Sequence, residues 1–344
     1  MNILGTLKEN DRVAILSPSS GLAGIFPWVA DYGLKRLEGN FGLVPVEYPT
    51  TRQMGSSLKA RAVDINDAFA DKTIKAIFTM IGGEDQIQLL KYLNAKVIRN
   101  NPKPFFGYSD NTHICNFLFN LGIPSFYGGS IMVEFGFNNK IPKETLTSLQ
   151  WAISERGNKI IKPSHSFNTI GLSWAEKKQL NTPRTFEQNT GFHWSGSNNA
   201  EGILWGGCLE SLIASASSRH DKVFDTLDKD VILFFETSEE MPPAWIIKYY
   251  LMGLGERKLF GKTIKGIIVG RPKTWDFDKQ NDKEHRMSYA RDQIEAIEST
   301  VRNYDMNIPI VYNVDIGHTA PQYIVPMGKI CKINSEKRLV SFRY

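Results

Sequence analysis

The chain has 344 residues, 42% hydrophobic and 22% charged, a balance that excludes a disordered or fibrous chain and allows two domains with sizeable cores. Its 41 basic and 36 acidic residues give a formal charge of +5, with no run of about five like charges, so a nucleic-acid polymer is not an expected partner. Met1 to Arg12 lacks an apolar signal core, and no stretch reaches the roughly 18 apolar residues of a membrane helix, so a cytoplasmic protein with no membrane partner is expected.

Arg12 to Ser17 is a short apolar run ended by Pro18-Ser19-Ser20-Gly21, and Ile25 to Leu37 has helical apolar spacing, which reads as strand, loop, helix. The same signals recur in Gly42 to Tyr48 (strand), Lys59 to Ala70 (helix), Ile74 to Ile81 (strand) and Gln86 to Leu93 (helix). Pro104 to Tyr108, Asp110 to Leu121 and Pro124 to Tyr127 continue as strand, helix, strand. Such alternation predicts a flavodoxin-like parallel sheet covered on both faces, over residues 1–152. From 153 to 199 the periodicity weakens and Gly, Ser, Asn, Thr and Pro gather around Trp174, Phe186, Phe192 and Trp194. This segment is predicted to be a linker and active-site loop.

Residues 200–344 form a second α/β domain in this reading. Its strands are Gly202 to Leu204, Val231 to Phe235 and Lys265 to Val269, its helices Leu209 to Ala216 and Trp245 to Leu254. An all-strand tail follows at Ile310 to Val314, Tyr323 to Pro326, Lys329 to Ile333 and Leu339 to Phe342. So many strands predict a barrel-like or swivelling sheet.

In Phe106-Gly107-Tyr108-Ser109-Asp110 a buried strand runs through Ser109 directly into a helix, which sets the hydroxyl at the carboxyl edge of the sheet, where open α/β sheets bind ligands. The turn follows the logic of a nucleophile elbow without the second Gly of G-x-S-x-G. The amide of Asp110 would face an oxyanion formed beside Ser109. The competing reading is that Ser109 and Asp110 only cap the helix. Gly82-Gly83, directly after a strand, allows close backbone approach and a second oxyanion donor, or merely a tight connection.

His318, in Gly317-His318-Thr319 after a strand, is the candidate general base, since His113 lies within a helix and the other histidines lie in loops or polar runs. Glu236 ends the apolar run that begins at Val231; a carboxylate there needs a partner, which His318 can provide, unless it simply reaches solvent. Cys115, Cys208 and Cys331, odd in number and widely spaced, fit free thiols better than a disulfide framework or zinc site, and no metal or cofactor is expected.

These segments together resemble the family of serine LD-carboxypeptidases and microcin C self-immunity proteins. The resemblance is carried by the Ser-Pro-Ser turn, Ile81-Gly82-Gly83, Gly107-Tyr108-Ser109-Asp110, Trp205-Gly206-Gly207-Cys208-Leu209, Phe235-Glu236-Thr237, Gly270-Arg271-Pro272 and Gly317-His318. It implies a Ser-His-Glu triad with Ser109 as nucleophile, His318 as base and Glu236 as its orienter, an oxyanion hole from the amides of Gly83 and Asp110, and a homodimer. Gly82, Arg271, Trp174 and Trp194 are the expected substrate-binding residues.

Self-immunity enzymes hydrolyse a peptidyl- or aminoacyl-nucleotide-like toxin, with a loop aromatic stacked on the base; LD-carboxypeptidases remove the terminal D-alanine from muropeptide tetrapeptides. The aromatic stretch Trp174 to Trp194 favours the first, although a Trp there also suits a packed loop anchor. Glu84-Asp85 departs from expectation, because charge beside an oxyanion donor is unfavourable. A different class, a two-domain protein that closes on a ligand without chemistry, would use the same sheet edges and glycines but has no need of the three residues together.

Overall fold

A run of short strands, mostly buried except for the edge strand Val44–Glu47, forms the first sheet of the computed structural model, which describes residues 5–344; residues 1–4 of the expected first domain lie outside the described residues. The strands are β1 (Arg12–Leu16), β2 (Val44–Glu47), β3 (Ile74–Thr79), β4 (Phe105–Gly107) and β5 (Ser125–Tyr127). They lie in the order β2-β1-β3-β4-β5, all parallel, the flavodoxin-like arrangement that the alternation predicts. Phe78, Phe106 and Phe126 stack across β3, β4 and β5 with centroids 4.2 and 4.7 Å apart. These pairs, worth about 0.5–1.5 kcal/mol each beyond their burial, pin β4, the strand that leads into Ser109.

The helices Pro27–Phe41, Leu58–Ala70, Thr112–Asn120 and Lys143–Ser154 belong to this half. Leu58–Ala70 starts where the Ser57 side chain accepts from the Ala60 amide, and Pro27–Phe41 ends at Gly42 with φ 64°, a polar start and a left-handed stop that the residue types favour.

The second half contributes β6 (Asn158–Ile161), β7 (Ser166–Phe167), β8 (Glu187–Gln188), β9 (His193–Ser195), β10 (Ala200–Cys208), β11 (Val231–Glu236), β12 (Ile264–Gly270), β13 (Ile310–Val314), β14 (Val325–Met327), β15 (Ile330–Asn334) and β16 (Leu339–Arg343). Among the described residues, eight of them form a sheet in the order β6-β16-β15-β10-β11-β12-β13-β9. Its centre, β10 to β13, is parallel and its flanks antiparallel. The sheet is open, with β6 and β9 at its edges, so the barrel-like closure suggested by the strand-rich tail does not form. Both edges come from the 153–199 segment, where β7 and β8 make a separate ribbon.

Two elements depart from the sequence reading. A helix at Lys283–Arg302, which the sequence reading did not assign, packs on Ala244–Glu256, with Met287, Ala290, Ile294, Ile297 and Val301 along its apolar stripe. In the tail, β14 crosses back to pair antiparallel with β5, so that Val325 faces Tyr127 and the first sheet gains a sixth strand from the end of the chain. This return carries the segment after β13, which includes His318, along the face where β4 and β5 end.

Candidate active site

Tyr108 leaves β4 in extended backbone, and Ser109 then takes φ 62°, opening a single 3-10 turn that runs into Thr112–Asn120. A left-handed non-glycine residue costs about 1–2 kcal/mol, so the surroundings must impose it. They do so by three bonds: Ser109 N donates to Tyr127 Oη at 3.3 Å, and Asn111 Nδ2 donates to the carbonyls of Tyr108 at 3.0 Å and Ile81 at 3.2 Å. Strain at a sheet edge, over-determined by its neighbours, is what exposes a hydroxyl on a sharp turn.

Gly82 lies directly against this turn. A Cβ built on it would fall 2.9 Å from Ser109 Cβ, 3.0 Å from Ser109 Oγ and 3.3 Å from the Asp110 amide nitrogen. Gly83 follows, with its missing side chain turned toward Ser19 Cβ at 2.6 Å. The Asp110 carboxyl is buried; Oδ2 accepts from Gln86 N at 3.0 Å, and burial pushes its pKa upward.

The unexpected charge of Glu84-Asp85 has a structural reason. Arg61, buried beneath the two loops, donates to both oxygens of Asp85 at 2.8 and 2.7 Å and to the carbonyls of Pro18 and Ser19 at 2.7 and 2.6 Å. Gln86 extends the clamp, donating to Ser19 Oγ at 2.9 Å and Asn111 Oδ1 at 2.8 Å. A planar guanidinium suits such multidentate bonding. Asp85 thus belongs to the scaffold that joins the Ser-Pro-Ser turn to the Gly-Gly turn, while Glu84 is exposed.

Glu236 ends β11 fully buried, and both its oxygens are satisfied: Oε1 accepts from Tyr127 Oη and Oε2 from His318 Nδ1, each at 2.6 Å. With Nδ1 committed to the carboxylate, the buried Nε2 of His318 has no hydrogen-bond partner. An orphaned polar atom of this kind points to a functional group awaiting one. The ring sits 4.9 Å from that of Tyr108, and Glu239 Oε2 is 3.6 Å from Nε2. Burial works against a charged imidazole, but Glu236, then Glu239 and Glu210, outweigh it and lift His318 to about 9.

Two glycines make room for the pair. A Cβ on Gly317, φ 92°, would lie 2.3 Å from Glu236 Oε2, and one on Gly270 would lie 2.5 Å from Glu236 Cβ. Arg271, an expected substrate-binding residue, spends its guanidinium inside the protein, on Asp315 at 2.6 Å, Asn313 at 2.9 Å and Thr319 at 3.3 Å. Those bonds hold the segment that carries His318.

The Gly207 turn docks the second half on the Ser109 helix: a Cβ there would fall 2.3 Å from Thr112 Cγ2, and Cys208 N donates to Thr112 Oγ1 at 3.0 Å. Trp174 and Trp194 are far apart in role. Trp174 packs edge-on against Phe26 at 5.9 Å and accepts at its carbonyl from Trp28 Nε1 at 2.9 Å, whereas Trp194 pairs with Val311 inside edge strand β9. The sequence reading missed Tyr127, which bridges Ser109 and Glu236; its place as the last residue of a strand neighbouring β4 was the available signal.

Residues 13–128 match the N-terminal domain of the LD-carboxypeptidases and residues 201–333 their C-terminal domain. The chain therefore belongs to the LD-carboxypeptidase family, a family of serine peptidase-type hydrolases. The microcin C7 self-immunity protein MccF of Escherichia coli is 26% identical over 288 residues, 83% of this chain and 78% of that protein. A Treponema pallidum protein named as a carboxypeptidase is 26% identical over 339 residues, 97% of this chain and 93% of that protein. The crystal structure of an MccF-like protein from Streptococcus pneumoniae, in complex with AMP, is 30% identical with a TM-score of 0.82, covering 97% of this chain and 99% of that one.

Proposed function

We propose that Ser109, His318 and Glu236 form the catalytic triad of an amide-bond hydrolase of the self-immunity type, acting on a peptidyl- or aminoacyl-nucleotide-like substrate through an acyl-enzyme. The observation that carries this reading is the His318 imidazole, fixed at Nδ1 by Glu236 at 2.6 Å and left with a buried, unpartnered Nε2. Nε2 takes the proton of the Ser109 hydroxyl as Oγ attacks the substrate carbonyl, and returns it to the leaving amine; water, deprotonated in the same way, then releases the acyl group. The amides of Asp110 and Gly83 receive the oxyanion, with Gly82 leaving space against the nucleophile.

Trp174 is the residue we assign to nucleobase stacking. It is part of an aromatic group with Phe26 and Trp28 beyond the Ser-Pro-Ser turn and is only partly buried, and the similar Streptococcus pneumoniae protein binds AMP. A homodimer in the cytoplasm completes this reading. The carboxypeptidase activity is the second reading, favoured by the near full-length match to the Treponema pallidum protein.

Comparing cleavage of an aminoacyl sulfamoyl adenosine with release of D-alanine from a muropeptide tetrapeptide tests the choice. Turnover of the adenosine compound, lost on Trp174→Ala by about tenfold or more in kcat/KM, is expected from one lost stacking contact of about 1–3 kcal/mol. Turnover of the tetrapeptide alone would assign the enzyme to the carboxypeptidases instead.

A further inference from the structure

A cavity of about 830 Å³ opens between the helix Lys283–Arg302, the β7-β8 ribbon and the ends of β11, β12 and β13. Small-molecule sites in proteins run from about 300 to 1,000 Å³, so this one has room for a ligand. Glu236 and Arg271 stand in its wall, whereas Ser109 and His318 do not. The cavity is therefore distinct from the place where the proposed chemistry occurs.

Its lining is chiefly apolar, with Phe167, Phe235, Ile247, Val269, Ile294 and Ile297 contributing. A molecule that fills it needs an apolar body, because a polar one would give up water without gaining bonds in exchange.

Two polar groups interrupt this lining, both on the helix Lys283–Arg302. Gln293, only 3% exposed, donates from Nε2 to the Pro242 carbonyl at 3.0 Å, and its Oε1 is buried without a hydrogen-bond partner among the described residues. Turning the amide over would set an oxygen against that carbonyl, so the orientation is fixed and the group on offer is an acceptor. Arg286 donates from Nη1 to Glu187 Oε1 in β8, and its Nε is likewise buried and without a partner among the described residues. Buried polar atoms are almost always paired, so two orphans in the wall of one cavity mark places for the groups of a ligand.

Their spacing defines that ligand further. Arg286 and Gln293 are seven residues apart, two turns along one face of the helix and about 10 Å along its axis. Gln293 calls for a donor and Arg286 for an acceptor. Glu187 already neutralises the guanidinium, so the acceptor is a neutral one, and an ion would lose hydration among apolar walls with no unpaired countercharge beside it.

We infer that this cavity is a second binding site, which takes a neutral, largely apolar molecule about 10 Å long with a hydroxyl donor at one end, held by Gln293, and a carbonyl-type acceptor at the other, held by Arg286. The inference goes beyond the hydrolase reading and does not rest on it, since binding is measured without turnover.

The test is a ligand-observed NMR titration of the full chain with 4-(4-hydroxyphenyl)butan-2-one and with its phenolic methyl ether. The ether is the more apolar of the two, so burial alone favours it; the site is expected to bind the phenol at least about threefold more tightly, through one hydrogen bond to Gln293. Gln293→Leu is expected to bring that ratio to about one or below. Ala290→Trp fills the cavity from its helical wall and is expected to weaken both compounds by about tenfold or more, with Ala290→Phe in its place should the larger ring unfold the chain. Urea unfolding establishes that each variant is folded before it is titrated. A Kd above about 10 mM for both compounds, an ether that binds as well as the phenol, a preference unchanged in Gln293→Leu, or affinities unchanged in the folded cavity-filling variant would each overturn the site.

Discussion

Tyr127 and Glu236 meet through a 2.6 Å hydrogen bond between the ends of β5 and β11, joining the two sheets at the point where the proposed chemistry occurs. The same phenol accepts from the Ser109 amide at 3.3 Å, so one hydroxyl reports on the nucleophile's backbone and on the carboxylate that orients the base. Tyr127→Phe leaves a buried carboxylate short of one donor and a strained amide without its acceptor. A loss of about 1–3 kcal/mol in stability is expected from the unsatisfied group, read by urea unfolding, together with a fall in kcat on the order of tenfold from the loosened pair.

The imidazole must be neutral to accept a proton, and His318 is raised to about 9 by carboxylates that outweigh its burial. In the free enzyme kcat/KM is therefore expected to climb with pH toward about 9, as the imidazolium gives up its proton. Glu239 lies 3.6 Å from Nε2 and favours the charged ring, so Glu239→Gln removes that support and moves the limb to lower pH. A pH profile of kcat/KM for both proteins checks the sign; a limb that stays in place or moves upward would exclude Glu239 as a contributor.

Gly317 has no room for a methyl group. A Cβ would press within 2.3 Å of Glu236 Oε2 at a left-handed φ of 92°, so Gly317→Ala is strained in both backbone and contact. Displacing the carboxylate or the imidazole by about 1 Å is expected to cost on the order of a hundredfold in kcat. The Ser109 turn is built from other segments, so circular dichroism should stay native while turnover falls.

Arg61 touches no reacting atom but fixes the loops on either side of the nucleophile. Arg61→Lys keeps the charge and loses the fork that reaches Asp85, Pro18 and Ser19 together. The expected result is a drop in kcat of about 10-fold to 100-fold with a smaller change in KM, measured well below the unfolding temperature. Equal loss of kcat and folded fraction would reduce Arg61 to a structural residue.

The first sheet was legible because strands buried on both faces are apolar runs, as in Ala76-Ile77-Phe78 of β3, and because turn residues punctuate them. Ser109 and Glu236 were legible at the ends of strands and His318 in a segment that follows one, and the Glu236–His318 meeting followed from the need of a buried carboxylate for a partner. The helix Lys283–Arg302 carries an apolar spacing at Met287, Ala290, Ile294, Ile297 and Val301 that the sequence reading passed over, because charged and polar residues fill the positions between and only Ile297 and Val301 of that stripe are buried. The return of Val325–Met327 to the first sheet rests on three residues of pairing, a tertiary choice that local pattern cannot signal.

The most direct measurement is steady-state hydrolysis, on whichever proposed substrate turns over, by Ser109→Ala, Glu236→Ala, His318→Ala and the triple variant. Groups that act as one unit are expected to fail together: Ser109→Ala and His318→Ala should each lose about 10⁴-fold or more in kcat, close to the loss of the triple variant. Ser109→Ala protein that retains kcat within about tenfold of the parent, or losses that multiply independently across the three sites, would contradict a triad.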